Sequence, residues 1–242
     1  MKKLIWGFVC LLFCIFSNSQ LNAEFEKAKN ESKNGLILPF SRVSYIFIIL
    51  PKELPVYDAH KKQAGVLSVE EDHEEGFGYI VLLSNGNRTQ IDLHDEVFKE
   101  VAYEEFSLKY TDIKDGFLKV LEGYGNYWIS IHDLEKAGFT NLSWINFLIQ
   151  KKFSYYANEP GLRLRESPNT ESRILSTIKG QSTIIEVTGE ISGNWAKVKI
   201  FRLKKDSCPI EENIDYVYVQ EGWIKIVNDD GYPNVYFHSR GC

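Results

Sequence analysis

The sequence predicts an all-β fold made of two small barrels in tandem, joined by a short helical connector. Three observations carry this. From Ser41 onward the chain breaks into short apolar or alternating runs rich in Ile, Val, Tyr and Phe, separated by Gly, Asn, Asp and Pro, which is strand texture. One segment alone, residues 141–152 (NLSWINFLIQKK), has helical period. A chain of 242 residues that is 44% hydrophobic and 14% aromatic has enough apolar surface for two cores, which excludes wholesale disorder.

In chain order, Met1, Lys2 and Lys3 precede the apolar run Leu4 to Phe16, and Ser17-Asn18-Ser19 follows with small residues, so residues 1–19 read as a signal peptide. An apolar run of roughly 13 residues is short of the ~20 that span a bilayer, so no stable transmembrane anchor is expected. Val9 before Cys10 and Phe13 before Cys14 are larger than the small residue a lipid-attachment signal wants, so soluble export to the periplasm or the exterior is expected, with a lipoprotein as the weaker alternative. Residues 20–37 are polar and rich in Lys, Glu and Asn, a flexible lead-in.

Residues 38–140 form the first β domain, with strands expected over Val43 to Leu50, Leu54 to Tyr57, Gly78 to Leu83, Thr89 to Leu93, Phe106 to Tyr110, Gly116 to Leu121 and Tyr127 to Ile131. Ser84-Asn85-Gly86-Asn87 marks a tight hairpin, because Asn and Gly accept positive φ. The acidic run Glu70-Glu71-Asp72-His73-Glu74-Glu75 reads as a solvated loop. Residues 141–154 are the connector, with Asn141 as cap and Leu142, Ile145 and Leu148 or Ile149 on one side. Residues 155–228 form the second β domain, with strands over Leu162 to Arg165, Arg173 to Ile178, Thr183 to Thr188, Trp195 to Phe201, Tyr216 to Gln220 and Gly222 to Val227. Residues 229–242 are a tail. Without the leader two cysteines remain, Cys208 and Cys242, most simply a disulfide that ties this tail down.

The second series resembles the bacterial SH3 family. Gly161-Leu162-Arg163-Leu164-Arg165-Glu166-Ser167-Pro168 looks like the family's opening strand and turn, and Ile174 to Gln181 like its next strand. Gly193-Asn194-Trp195-Ala196-Lys197-Val198 looks like its Trp-bearing hairpin, and Glu221-Gly222-Trp223-Ile224 like its closing strand. The insertion from Leu203 to Asp215, carrying Cys208, departs from the family pattern. The first series looks like a diverged copy. Leu54-Pro55-Val56-Tyr57-Asp58-Ala59 stands where Leu162 to Ser167 stands, Gly116 to Val120 is similar to Asn194 to Val198, and Tyr127 to Ile131 to Gly222 to Ile226. The fold class is then two SH3-like barrels in tandem, with Trp128, Trp195 and Trp223 assigned to their cores.

The resemblance implies a non-enzymatic binding or scaffolding protein that engages a peptidoglycan peptide or an envelope protein. Its candidate ligand-binding residues are Tyr155, Tyr156, Tyr216 and Tyr218, since aromatics on a β face grip extended peptides. No catalytic residue, metal site or cofactor is assigned: His-Glu-X-X-His, Gly-X-Ser-X-Gly, a Gly-rich phosphate loop and Cys-X-X-Cys are all absent. Formal charge of −5, or −7 without Lys2 and Lys3, argues against nucleic acid. It leaves open an inhibitor or immunity-type protein facing a basic partner. The remaining alternative is a hydrolase with Asp58, Asp133 and Glu166 in a cleft between the barrels.

Overall fold

The computed structural model describes residues 33–42, 53–72, 77–103, 105–151, 153–203 and 216–240. The expected signal peptide, the expected strand over Val43 to Leu50 and both Cys208 and Cys242 lie outside the described residues. The described chain is mostly β, as its texture predicts.

The first half contributes strands β1 (Gly35–Arg42), β2 (Leu54–Tyr57), β3 (Gln63–Asp72), β4 (Phe77–Ser84), β5 (Asn87–Ile91), β6 (Phe98–Ala102), β7 (Glu105–Lys114), β8 (Phe117–Val120), β9 (Tyr127–Ser130) and β10 (Thr140–Ser143). Helix α1 (Ile131–Lys136) lies between β9 and β10, capped by the Ser130 hydroxyl. All ten strands join one antiparallel sheet in the order β10-β1-β7-β8-β9-β2-β3-β4-β5, with β6 also on β7. Helix α2 (Trp144–Lys151) follows. The second half adds β11 (Tyr156–Ala157), β12 (Leu162–Arg165), β13 (Ile174–Ile178), β14 (Thr183–Ser192), β15 (Trp195–Leu203), β16 (Tyr216–Lys225) and β17 (Val235–Tyr236). Five of these form a second sheet, β13-β12-β16-β15-β14, while β11 pairs β17.

Neither sheet closes into a barrel. In the second, β12 meets β16 at one pair, Arg165 and Trp223, so the first half of β16 has no described neighbour on that side. In the first, β5 ends the sheet with Asn87, Arg88, Thr89 and Gln90 exposed, a polar edge that discourages further pairing.

Within the large sheet, the path β3-β2-β9-β8-β7 follows the same order as β13-β12-β16-β15-β14. The registers correspond. Leu54, Pro55 and Val56 pair Leu67, Val66 and Gly65, and a one-residue irregularity then sets Tyr57 against Gln63. Leu162, Arg163 and Leu164 pair Ile178, Thr177 and Ser176, and the same irregularity sets Arg165 against Ile174. Tyr57 bridges Trp128 as Arg165 bridges Trp223, and Lys119 faces Trp128 as Lys197 faces Trp223. The backbone amide of Ile131 donates to Gly116 at 2.9 Å, and that of Ile226 to Asn194 at 3.0 Å.

Two apolar cores result, and strand β1 stands between them. Adjacent residues of a strand point to opposite faces, so Ile37 joins the core that holds Leu54, Val56, Leu118, Val120 and Ile129. Leu36 joins the core that holds α2, Leu164, Ile185, Val198 and Ile224. The expected lead-in over 20–37 is thereby corrected at its end: Asn34 through Ile37 are buried, because β1 is covered on both faces. The connector is corrected too. Asn141 lies in β10 opposite Ile37, and Ser143 caps α2, its hydroxyl accepting from the Asn146 amide. Trp144, Ile145, Phe147, Leu148 and Ile149 are all buried, so α2 is core rather than a linker. Tyr216 to Gln220 and Gly222 onward, expected as two strands, are one strand, β16. Glu70 to Asp72 lie on β3, where Glu70 pairs with Arg88 at 2.7 Å; residues 73–76 lie outside the described residues.

The tail returns to the first half. Phe237 stacks on Phe153 with ring centres 4.9 Å apart and meets Phe147 and Tyr155. Beyond it, the Ser239 hydroxyl and the Arg240 guanidinium donate to Glu100 at 3.1 and 2.8 Å.

Candidate functional site

The four candidate tyrosines divide between two faces. Tyr155 and Tyr156 are neighbours on an extended segment and point opposite ways. Tyr155 points inward: it is wholly buried, exchanges two backbone hydrogen bonds with Ile185, and donates its hydroxyl to the Leu148 carbonyl at 2.6 Å. Burial pushes its phenol well above the ordinary range. It is therefore removed from the ligand-binding set, since no ligand reaches it without opening the core.

The other three meet on the outward face of the second sheet. Along β15 the buried set is Ala196, Val198 and Ile200, so period two turns Trp195, Lys197, Lys199 and Phe201 outward. Phe201 is flanked by Ile184 on β14 and Tyr218 on β16, directly opposite in both ladders, which makes a three-strand row. Tyr216 lies two residues before Tyr218 on the same side, and the Phe201 ring meets both edge-on, at 5.0 and 5.8 Å between centres. Tyr156 packs with Ile184 and against Phe201 and Tyr236. Beyond it Tyr156, Tyr236 and His238 form a triangle with ring centres 5.3–5.6 Å apart. Burial, and then the neighbouring Tyr236, push the Tyr156 phenol up.

The outer end of this strip is open. Tyr216, Val217, Tyr218 and Val219 are each 42–52% exposed, four consecutive apolar residues on the side of β16 that has no described strand beside it. Val219 is an extra residue in the β15–β16 ladder, where Ile200 pairs Gln220 and Phe201 pairs Tyr218. Charge enters the face at Lys197, which sits between Glu190 at 2.8 Å and Glu221 at 3.2 Å; the hydrogen bonds it donates to those carboxylates, Glu190 first, raise its pKa. Trp195 and Trp223 are half-buried on this outward face, and Trp128 is half-buried in the first sheet. The expectation that all three fill cores is corrected, because Ala196, Val198, Ile224 and Ile129 take the inward positions.

Strand period could have found Phe201, since 196, 198 and 200 form one apolar set. Tyr236 and His238 carry no local signal, as the β11–β17 pairing that brings them to Tyr156 spans 80 positions.

The three carboxylates of the hydrolase alternative each have a structural partner. Asp58 accepts the amides of His60 and Lys62 in its own turn, Asp133 accepts the Tyr57 hydroxyl at 2.7 Å, and Glu166 pairs with Arg173 at 3.0 Å. Among the described residues no group of three His, Cys, Asp or Glu side chains could hold a metal, and no helix is long and apolar enough to cross a membrane. Set against family models, curated proteins and solved structures, the chain finds no match in any of the three.

Proposed function

We propose that the chain is an exported, non-enzymatic binding protein, built from two SH3-like units, whose second unit is a bacterial SH3 domain that grips an extended peptide in the cell envelope. The observation that carries this reading is the row Ile184–Phe201–Tyr218 with Tyr216, running out to the open side of β16. An extended peptide can lie along such an edge, adding main-chain hydrogen bonds while its alternate side chains pack on the aromatic face. The tandem reading draws support from the shared strand order, the matching irregularities after Val56 and Leu164, and the matching Lys–Trp pairs.

A pull-down of residues 20–242 tests this against two baits, purified peptidoglycan and an envelope-protein extract. Truncating exposed aromatic anchors of an interface costs about 2 kcal/mol or more, a factor of roughly thirty. Tyr216→Ala with Tyr218→Ala is expected to abolish retention on peptidoglycan while leaving the thermal melt unchanged, both side chains being half-exposed. Retention that survives the double substitution overturns the strip as the binding face. Capture of one basic protein, released as salt rises, supports the inhibitor reading instead.

A further inference from the structure

We propose that the open side of β16 selects an extended segment of a partner polypeptide in which apolar side chains stand at consecutive positions, rather than one in which they alternate with polar ones. The preference presupposes that β16 is the peptide-binding edge, and it names the sequence that such an edge takes.

Adjacent residues of a strand point to opposite faces, so an edge strand meets its partner with both. On β16 the inward face is set by Gln220, Gly222 and Ile224, which stand opposite the buried Ile200, Val198 and Ala196. Strict alternation would turn Tyr218 and Tyr216 inward as well. Val219, the extra residue of the ladder, reverses the parity: Tyr218 falls opposite Phe201 and joins the outward strip, while Val217 falls opposite Arg202 on the other face. The bulge thereby gives the open edge a tyrosine face continuous with Phe201 and a valine face bounded by Arg202.

Both faces of the edge are apolar and half-exposed. Edge strands that avoid pairing carry charge or proline, as β5 does with Arg88, whereas the run from Tyr216 to Gln220 carries neither. The nearest charges are paired or set back: Lys197 lies between Glu190 and Glu221, and Arg202 on β15 lies across β16 from the open side. A partner strand lays alternate residues against the tyrosines and the intervening ones against Val217. A partner that alternates apolar with polar residues satisfies one face and sets polar side chains on the other; consecutive apolar residues gain on both. A second copy is a poor occupant, because half of two tyrosines and two valines comes to roughly 300 Å² per copy, about half of the ~600 Å² per partner at the lower end for stable complexes. The same small area makes the grip on a peptide weak and reversible.

The test is titration of ¹⁵N-labelled residues 20–242 with two peptides of identical composition, acetylated and amidated, following the β16 amides. One is Lys-Ser-Val-Ile-Val-Ile-Ser-Ser-Lys and the other Lys-Val-Ser-Ile-Ser-Val-Ser-Ile-Lys. The consecutive peptide is expected to shift β16 saturably with a Kd at or below about 1 mM, and the alternating one to bind about tenfold more weakly or not at all. Val217→Ser, at a half-exposed position and shown by its melt to be folded, is expected to weaken the consecutive peptide about tenfold and to leave the alternating one unchanged, closing the gap. Equal affinity of the two peptides for the natural chain overturns the preference while leaving β16 a binding edge, and so does a gap that survives Val217→Ser. Absence of any saturable shift at β16 overturns both. Shifts that grow with protein concentration alone, with sedimentation moving toward a dimer, make a second copy the occupant and overturn the assignment of a separate partner.

Discussion

Replacing Phe237 by alanine tests whether the tail belongs to the core that α2 shares with the second sheet. The ring lies in an aromatic cluster with Phe153 at 4.9 Å, Phe147 at 5.8 Å and Tyr155 at 6.1 Å, and the Lys99 ammonium sits 5.0 Å from its centre. A phenyl side chain buries about 150 Å² or more, which at ~25 cal/mol/Å² amounts to about 4 kcal/mol, a figure that compact unfolded chains reduce by a tenth or more. Loss of the cation–π contact adds back about 1 kcal/mol. The expected cost of Phe237→Ala is therefore about 4 kcal/mol, within the range for phenylalanine deletions in cores. Urea unfolding followed by circular dichroism and tryptophan fluorescence measures it, with the slope checked for constancy. Arg240→Ala is the contrast. It removes a half-exposed cation from Glu100 and should cost less than about 1 kcal/mol. A Phe237→Ala loss below about 1 kcal/mol at unchanged slope would refute the assignment, because the tail would then be lying on the molecule without completing it.

Three further outcomes follow from single residues. Gly35→Ala places a methyl 2.0 Å from the Leu142 carbonyl oxygen and 2.6 Å from the Tyr110 hydroxyl, and backbone cannot give way. It should cost more than about 3 kcal/mol, lowering the melting temperature by roughly 6 °C or more; a drop under about 2 °C would show that β1 and β10 are not held this close. Tyr57 has its pKa raised from 10.0 to about 12, first by the hydrogen bond it donates to Asp133, then by burial and by that carboxylate's charge. The folded state thus holds this proton more tightly, so the contribution is full below pH 10 and lost as pH rises from 10 to 12. The natural chain should lose stability across that window faster than Tyr57→Phe, and parallel melting curves against pH would contradict the assignment. Lys99 is pushed down by burial first, then by Lys109, with Glu100 opposing. Its charged form is disfavoured in the folded state, so Lys99→Met should be more stable than the natural chain at pH 7. That advantage should shrink as pH rises toward the free lysine value of about 10.4, and an advantage constant with pH would refute the desolvation.

Local pattern made part of this fold legible. Leu54–Tyr57 alternates and its buried residues, Leu54 and Val56, fall at the alternate positions, whereas in Leu162–Arg165 the adjacent Leu164 and Arg165 are both buried, Arg165 because its guanidinium donates to the Ser172 carbonyl at 2.6 Å. Asn85 and Gly86 both adopt positive φ, which the tight turn between β4 and β5 demands and which those residue types announce. The elements that escaped are those decided at long range. Strand β1 is buried on both faces, so its GLIL run carries no alternation to mark it as a strand, and a polar stretch precedes it. Asn141 sits beside residues spaced like a helix, and only its pairing with Ile37, over a hundred positions away, makes it strand. Strand β3 ends in acids that read as loop, and its Gly65 matters because a Cβ there would lie 2.3 Å from the Leu83 carbonyl. At the site, adjacency alone dictated that Tyr155 and Tyr156 face opposite ways. Which one faces the core was set by Ile185 and Leu148, and no local signal names those partners.

The two β units resemble each other most along their shared five-strand path and differ in what is inserted around it. Between the strands that correspond to β13 and β14, the first half inserts β4, β5, β6 and the turn with Glu96, whereas the second half has residues 179–182 alone. The second half is nevertheless not self-sufficient. Its core includes Leu36 and Val101 from the first half together with Trp144, Ile145, Phe147, Leu148 and Ile149 of α2. Each buried side chain of this kind is worth about 1.5–3 kcal/mol, so removing seven subtracts on the order of 10–20 kcal/mol, comparable with or above the whole stability of an ordinary domain. A fragment of residues 153–242 should therefore lack a cooperative unfolding transition and show collapsed amide dispersion, although it contains every strand of the second sheet. A sharp melt with dispersed resonances from that fragment would mean that α2 and β1 only cover a finished unit. Failure to fold has a functional consequence: the aromatic strip would then exist only when the first half completes the core behind it.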